Sequence, residues 1–166
     1  KIRQTIELTE DISRSLAERF KDAADMYFIG RQLDFAAAME ASLKMKEISY
    51  VHSEAYAAGE LKHGTISLVD KGTPVIAVVS QLDVISKTAS NVCEVKARGA
   101  ETVIVTGECN KDTVSADHII SVPDTAQEFA VSLQIIPLQL LAYYSAKERG
   151  CDIDKPKNLA KSVTVE

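Results

Sequence analysis

Short apolar runs alternate with amphipathic stretches along the 166 residues. Runs that are apolar at consecutive positions predict strands buried on both faces, and they cover 25–30, 73–80, 101–106 and 117–122. Stretches with apolar residues every three or four positions predict helices; they cover 8–23, 34–50, 53–61, 81–98 and 125–148, with Thr9 as the N-cap of the first. The alternation predicts an α/β fold, a doubly wound and mostly parallel sheet of Rossmann type flanked by helices.

The pattern changes near residue 150. Gly150 follows the last predicted helix, and residues 151–166 have no period and are rich in Lys and Asp. We therefore expect a folded domain over 1–150 and an irregular C-terminal tail over 151–166. Folds of this type bind ligands at the carboxyl ends of their strands, which fall here at 30–32, 80–81 and 106–107.

Composition narrows the function. A net charge of −5, a pI near 5.3 and the absence of Trp argue against binding to nucleic acid. The sequence has no apolar run of about 20 residues and no signal-peptide core, so we expect a cytoplasmic location and no membrane partner. The three cysteines are widely spaced, as is usual for free thiols in a reducing compartment. Because the chain starts at Lys1 without Met, we expect it to be either a piece of a longer chain or a processed chain.

One helix carries charge where apolar residues are expected. Glu40, Lys44 and Glu47 are spaced i, i+4, i+7 and share a face, among small and apolar neighbours. An ionised carboxylate in such surroundings is costly unless it is paired, and its pKa tends to rise, which suits a general acid–base group. The alternative is a structural Glu40–Lys44 ion pair, worth about 0.2–0.5 kcal/mol.

Two further positions have open interpretations. His63 precedes Gly64 at a predicted helix end, where it is either an acid–base group or a surface residue. The lysines of the tail fit either a solvated terminus or a catalytic arm, since a nucleophilic lysine needs its pKa lowered by burial or by a nearby cation. No set of residues has the spacing of a metal site, and we expect no metal and no cofactor.

Three segments together resemble a known family, with a fourth, Pro137 to Tyr143, that also fits. They are Leu43-Lys44-Met45-Lys46-Glu47-Ile48-Ser49-Tyr50, Ser53-Glu54-Ala55-Tyr56-Ala57-Ala58-Gly59-Glu60-Leu61-Lys62-His63-Gly64 and Asn158-Leu159-Ala160-Lys161-Ser162-Val163-Thr164-Val165-Glu166. The resemblance is to the C-terminal isomerase part of glutamine–fructose-6-phosphate aminotransferases (isomerising), also called glucosamine-6-phosphate synthases. It covers essentially the whole chain and implies a sugar isomerase (SIS) domain over 1–150 and an active-site tail over 151–166.

The resemblance also implies roles. The family makes glucosamine 6-phosphate from fructose 6-phosphate and ammonia released from glutamine. Glu47 matches the glutamate that moves a proton between C1 and C2, Lys161 matches the lysine that forms a Schiff base with the sugar, and His63 matches the histidine that opens the sugar ring in a neighbouring subunit's site. Lys44 matches a lysine beside the glutamate, and Asn158 and Ala160 match positions that line the sugar. We therefore expect a sugar phosphate as ligand and a homodimer.

Some family features are absent from this sequence. In the family a Ser/Thr-rich loop holds the phosphate; residues 80–83 occupy the related place here but lack such a run. The sequence also contains no glutaminase domain. We therefore expect the 166 residues alone to have little or no activity. Gln32, Thr65 and Lys157 stand where many relatives carry Gly, Pro and Arg. The alternatives are a sugar-phosphate-binding SIS module without chemistry, and an isomerase or deaminase acting on another phosphosugar.

Overall fold

Five parallel strands form one sheet in the computed structural model, which describes residues 1–159. The strands are β1 Asp25–Gly30, β2 His52–Ala57, β3 Pro74–Val79, β4 Glu101–Gly107 and β5 His118–Val122. The helices are α1 Ile2–Arg19, α2 Leu33–Lys44, α3 Ile85–Lys96 and α4 Gln127–Glu148. The strand order is β2-β1-β3-β4-β5. The predicted α/β class, with a parallel sheet flanked by helices, is confirmed, and residues 151–159 of the predicted tail form no helix or strand.

Alternate side chains of each central strand enter two separate cores. Phe28, Ile76 and Val103 point to the face covered by α1, α2 and α4. Ile29, Ala77 and Ile104 point to the other face, which includes Val92 and Val95 of α3. A sheet covered on both faces has strands that are apolar throughout, and every residue of β3 is buried. This is why the strand runs could be recognised in the sequence.

Helix α4 is the one helix, within the described residues, that is long and apolar enough to cross a bilayer by length and composition. It has 22 residues, and 56% of its most apolar 18-residue window is buried. In the structure Leu138, Leu141 and Ala142 are at most 1% exposed and belong to the first core. The composition is therefore that of a buried core helix.

Helix α1 begins earlier than predicted. Thr9 is not its N-cap but lies inside the helix, 1% exposed, and its hydroxyl donates to the carbonyl of Thr5 at 2.8 Å. Ser13, also buried, donates to the carbonyl of Pro137 in α4 at 3.3 Å. Because their hydroxyls find carbonyl acceptors, these small polar residues pack in the helix–helix contact. The sequence prediction, which took Thr9 as the N-cap, placed the helix start too late.

The helix predicted over 53–61 is wrong. Residues His52–Ala57 form β2, an edge strand in parallel register with β1, in which Met26 faces Ser53. Two buried serines fix the strand to α2: Ser42 Oγ donates to the carbonyl of Ser53 at 3.0 Å, and Ser53 Oγ donates to the carbonyl of Ser42 at 2.9 Å. Pairing and these bonds override the helix propensity of the Ala- and Glu-rich segment.

Candidate active site

Glu47 lies in a widened, π-helical turn, Met45–Ser49, that continues α2. The predicted helix over 34–50 is therefore divided into an α-helix and this turn. The hydroxyl of Ser49 donates to the carbonyl of Met45 at 2.7 Å, which closes the turn. Such turns are rare and are frequent at functional sites. Since α2 runs antiparallel to the strands, the turn places Glu47 at the amino-terminal edge of the sheet, just before β2 begins.

The charged face predicted on this helix is present. Lys44 Nζ lies 2.6 Å from Oε2 of Glu47 and 3.8 Å from Oε1 of Glu40. The three side chains are between 30% and 40% exposed. The pKa of Lys44 is raised, first by its hydrogen bond to Glu47 and against the effect of burial, so the ammonium stays charged at neutral pH. The closer partner of Lys44 is thus Glu47. The alternative interpretation of the sequence paired Lys44 with Glu40.

The described part of the tail is tied to the same turn. Arg149 Nε donates to the carbonyl of Ser49 at 3.1 Å, and the backbone N–H of Lys157 donates to the hydroxyl of Tyr50 at 2.7 Å. Between them, Asp152 Oδ1 accepts the backbone N–H groups of residues 154 and 155, both at 3.1 Å. Both ends of the segment 149–157 are therefore tied to the end of the turn that carries Glu47.

Three predicted site residues lie at or beyond the end of this segment. Asn158 is exposed and has a left-handed backbone, with φ of 60°. Ala160 and Lys161 lie outside the described residues, so their assigned roles stay predictions.

His63 lies at the opposite edge of the sheet. It ends a short 3₁₀ turn, Leu61–His63, that follows β2; its side chain is 61% exposed, and Nδ1 is 3.0 Å from Oε2 of Glu60. The six-residue strand separates it from Glu47 by about 20 Å at ~3.3 Å per residue. The helix that ends at His63 is only a three-residue 3₁₀ turn, which offers no appreciable dipole. A single chain does not bring His63 to Glu47.

The carboxyl edge of the sheet, where the sequence predicts a ligand, holds a buried polar network instead. Asp34, in the first turn of α2, is 1% exposed and accepts the backbone N–H groups of Ser80 at 2.8 Å and Gln81 at 3.2 Å, together with the Ser80 hydroxyl. Burial raises the pKa of Asp34, and the hydrogen bonds from Ser80 and Gln81 oppose the rise. The sequence prediction missed this residue; the available signal was an acidic residue four positions after the glycine that ends a buried strand.

Comparison with known proteins gives the family. The model of the SIS domain family matches residues 19–148. Glutamine–fructose-6-phosphate aminotransferase (isomerizing) of Caldanaerobacter subterraneus subsp. tengcongensis is 52% identical across 100% of the chain, and that of Pyrobaculum aerophilum is 49% identical across 99%. The chain spans only 27% of the length of each of these relatives.

Comparison with solved structures leads to the same family. The C-terminal domain of glucosamine-fructose-6-phosphate aminotransferase from Francisella tularensis has a TM-score of 0.88 at 38% identity, over 93% of this chain and 43% of that one. Glucosamine-6-phosphate deaminase from Thermotoga maritima has a TM-score of 0.75 at 30% identity, over 96% of this chain and 48% of that one. The chain therefore belongs to the SIS domain family, and over its whole length it matches the C-terminal isomerase region of glutamine–fructose-6-phosphate aminotransferases.

Proposed function

We propose that the chain supplies the isomerising acid–base residues of a glutamine–fructose-6-phosphate aminotransferase. The observation that carries the proposal is the Lys44–Glu47 ion pair in a π-helical turn to which the tail is also tied. A base, its charged partner and the segment leading to Lys161 then converge on one edge of the sheet. A structural ion pair alone needs no such turn and no such tail.

The proposed chemistry balances as fructose 6-phosphate plus ammonia giving glucosamine 6-phosphate plus water. The amine of Lys161 attacks C2 of the open-chain sugar and a Schiff base forms with loss of water; ammonia then displaces the lysine and leaves an imine at C2. Glu47 removes a proton from C1 and returns it to C2, while the imine nitrogen gains the proton that the C1 hydroxyl loses, so that C1 becomes an aldehyde and C2 carries the amine. One carboxylate that takes and returns a proton is sufficient for this step.

Lys44 is proposed to hold the Glu47 carboxylate in place and to keep a positive charge beside it. Asn158 and Ala160 are proposed to line the sugar. His63 is proposed to open the ring in the site of a second copy, since its own chain holds it at the far edge of the sheet; this requires at least a homodimer.

The exposed surface beside Glu47 supports a site that is completed by other parts of the enzyme. Leu43, which shares a helix face with Glu40 and Glu47, is 50% exposed. Exposed apolar side chains beside a charged set are typical of a surface that is covered in the assembled protein. We accordingly propose that the 166 residues alone have little or no activity, and that the complete enzyme is cytoplasmic and acts on sugar phosphates.

The direct test uses Glu47→Gln in the chain joined to the upstream residues that its relatives carry. Formation of glucosamine 6-phosphate should fall by about 10²–10⁴-fold, the usual contribution of an acid–base group, while glutamine hydrolysis stays near normal. Glu40→Gln is the matched control, because it lies on the same helix face at 3.8 Å from Lys44. Equal output from both variants would rule out the proton transfer by Glu47.

A second test addresses Lys161. Borohydride reduction in the presence of fructose 6-phosphate should attach the sugar to a peptide containing Lys161, detected by mass spectrometry. Attachment at another lysine would move the Schiff base to that residue.

A deaminase is the second candidate, favoured by the 30% identity to the Thermotoga maritima protein. It would run similar proton transfers in the opposite direction. Release of ammonia from glucosamine 6-phosphate without any glutamine requirement would favour it over the aminotransferase.

A further inference from the structure

The carboxyl ends of β1 and β3 meet at the point where the strand order reverses. From β1 the chain continues to β2 on one side, and from β3 it continues to β4 on the other. Open α/β sheets bind ligands in the crevice at this point, with phosphate groups on backbone N–H donors and on the helix N-terminus beside them. In this chain Asp34 occupies that crevice.

The donors around Asp34 are those that an oxyanion requires. Two successive backbone N–H groups, of Ser80 and Gln81, and the Ser80 hydroxyl all point at one carboxylate. Gln81 Nε2 donates to Ser80 Oγ at 2.9 Å, and Gln127 Nε2 donates to Gln81 Oε1 at 3.3 Å, so the loop is held in this form. Successive N–H groups that converge on one point form an anion-binding concavity.

No cation balances the carboxylate among residues 1–159. The ion pairs of the described chain do not include Asp34, and the groups that hydrogen-bond to it are neutral. A buried carboxylate bound only by neutral donors is costly. The donors that converge on it offset this cost, and they suit an anion better than a neutral side chain.

Gly30 explains how α2 comes close enough to fill the crevice. A Cβ at this glycine would lie 2.4 Å from the backbone oxygen of Asp34, so a larger residue would push the first turn of α2 away from β1. On the other side, a cleft of about 110 Å³ reaches Ser80 between Leu82, Gln127 and Gln134. An external ion therefore has a path to the donors once the carboxylate is removed.

We propose that the crevice between β1 and β3 is an oxyanion site that the protein fills with its own Asp34 carboxylate. The natural chain consequently takes no phosphate group there, and any sugar phosphate that reaches Glu47 is held by another part of the enzyme. Removing the carboxylate opens the site to inorganic phosphate or to a phosphomonoester. The inference concerns the edge of the sheet opposite Glu47 and holds whether or not the proposed reaction is correct.

The test titrates inorganic phosphate into Asp34→Ala in the 166-residue chain, at constant ionic strength set with chloride. The variant should melt below the natural protein, and phosphate at ten times its dissociation constant should raise its melting temperature by on the order of 3 °C. Amide resonances of Ser80 and Gln81 should shift with phosphate in the variant and stay unmoved in the natural chain.

Asp117→Ala is the matched control. Asp117 Oδ2 accepts the backbone N–H of Thr102 at 2.9 Å and its hydroxyl at 2.7 Å, the same kinds of bond at the amino-terminal edge of the sheet. This variant should lose stability without a response to phosphate. If Asp34→Ala does not fold, Asp34→Ser takes its place. The serine hydroxyl can still accept one hydrogen bond from Ser80, but the carboxylate is gone.

Two results would overturn the inference. One is a response to phosphate in the Asp34 variant that is no larger than the response of the Asp117 control, including no response in either. The other is a phosphate-dependent shift at Ser80 and Gln81 in the natural chain.

Discussion

The hydroxyl of Tyr50 accepts a hydrogen bond from the backbone N–H of Lys157 at 2.7 Å. The ammonium of Lys157 also lies over the ring of Tyr50, 5.0 Å from its centroid. Tyr50 follows the π-helical turn of Glu47, and Lys157 comes four positions before Lys161 in the sequence. The contact therefore joins the turn that carries the candidate base to the segment that leads to the candidate nucleophile.

Replacing Tyr50 by Phe keeps the ring and removes the acceptor. We expect the amide of Lys157 to exchange its hydrogen faster in the 166-residue chain, at a stability cost of about 1 kcal/mol. In the longer enzyme, borohydride trapping of sugar on Lys161 should slow several-fold while glutamine hydrolysis is unchanged. Tyr143→Phe, on α4 and 40% exposed, is the control. Normal trapping in Tyr50→Phe would show that the contact does not position the tail.

Gln32 has a backbone conformation that favours glycine, with φ of 53° and ψ of −126°. A residue with a Cβ in such a region costs of order 1 kcal/mol. Gln32→Gly should therefore raise the free energy of unfolding by about 0.5–1 kcal/mol, although it loses the exposed hydrogen bond from Gln32 to Asp83. Gln32→Ala loses that bond and keeps the Cβ. Urea unfolding that ranks the alanine variant at or above the glycine variant would contradict the strain.

Asp117 should make the stability of the fold depend on pH. Its pKa is lowered, first by the hydrogen bond from Lys96 and then by the backbone N–H of Thr102. The carboxylate is therefore favoured in the folded state, and its contribution is present above the unfolded value of about 3.9 and is lost as the pH falls through the folded value. The side chain is 35% exposed, so we expect a contribution of order 1 kcal/mol.

The measurement is urea unfolding of the natural chain and Asp117→Asn at pH 7, 5 and 3. The difference between them should be nearly constant from pH 7 to 5 and should shrink at pH 3. Asp112→Asn, an exposed residue, controls for the change of net charge. A difference that grows towards low pH would contradict the assignment.

The sequence predicted the four buried strands because both faces of each are covered, so their apolar runs stand out. It missed β2, an edge strand whose residues favour a helix and whose position is fixed by contacts with distant residues, among them Met26 and Ser42. The propensities of neighbouring residues do not depend on such long-range contacts, so they cannot predict this strand.

The candidate site was also predicted only in part. The shared face of Lys44 and Glu47 follows from helical spacing alone, and the structure has the pair. The π-helical turn does not follow, since it depends on how α2 ends against β2 and α4. The network of Asp34 and Ser80 joins residues 46 positions apart, so no local pattern reveals it.

Lys44 gives the last prediction, which separates stability from catalysis. The pair with Glu47 is about one-third exposed on each side, so Lys44→Gln should cost less than about 1 kcal/mol of stability. The ammonium nevertheless fixes the direction of the carboxylate at 2.6 Å, and a misplaced base can lose about 10²-fold in rate. We therefore expect formation of glucosamine 6-phosphate by the longer enzyme to fall at least tenfold, with glutamine hydrolysis unchanged. Lys46→Gln, exposed in the same turn, removes the same charge and should leave both rates near normal. If the two lysine variants lose activity equally, the effect comes from net charge, and Lys44 does not position Glu47.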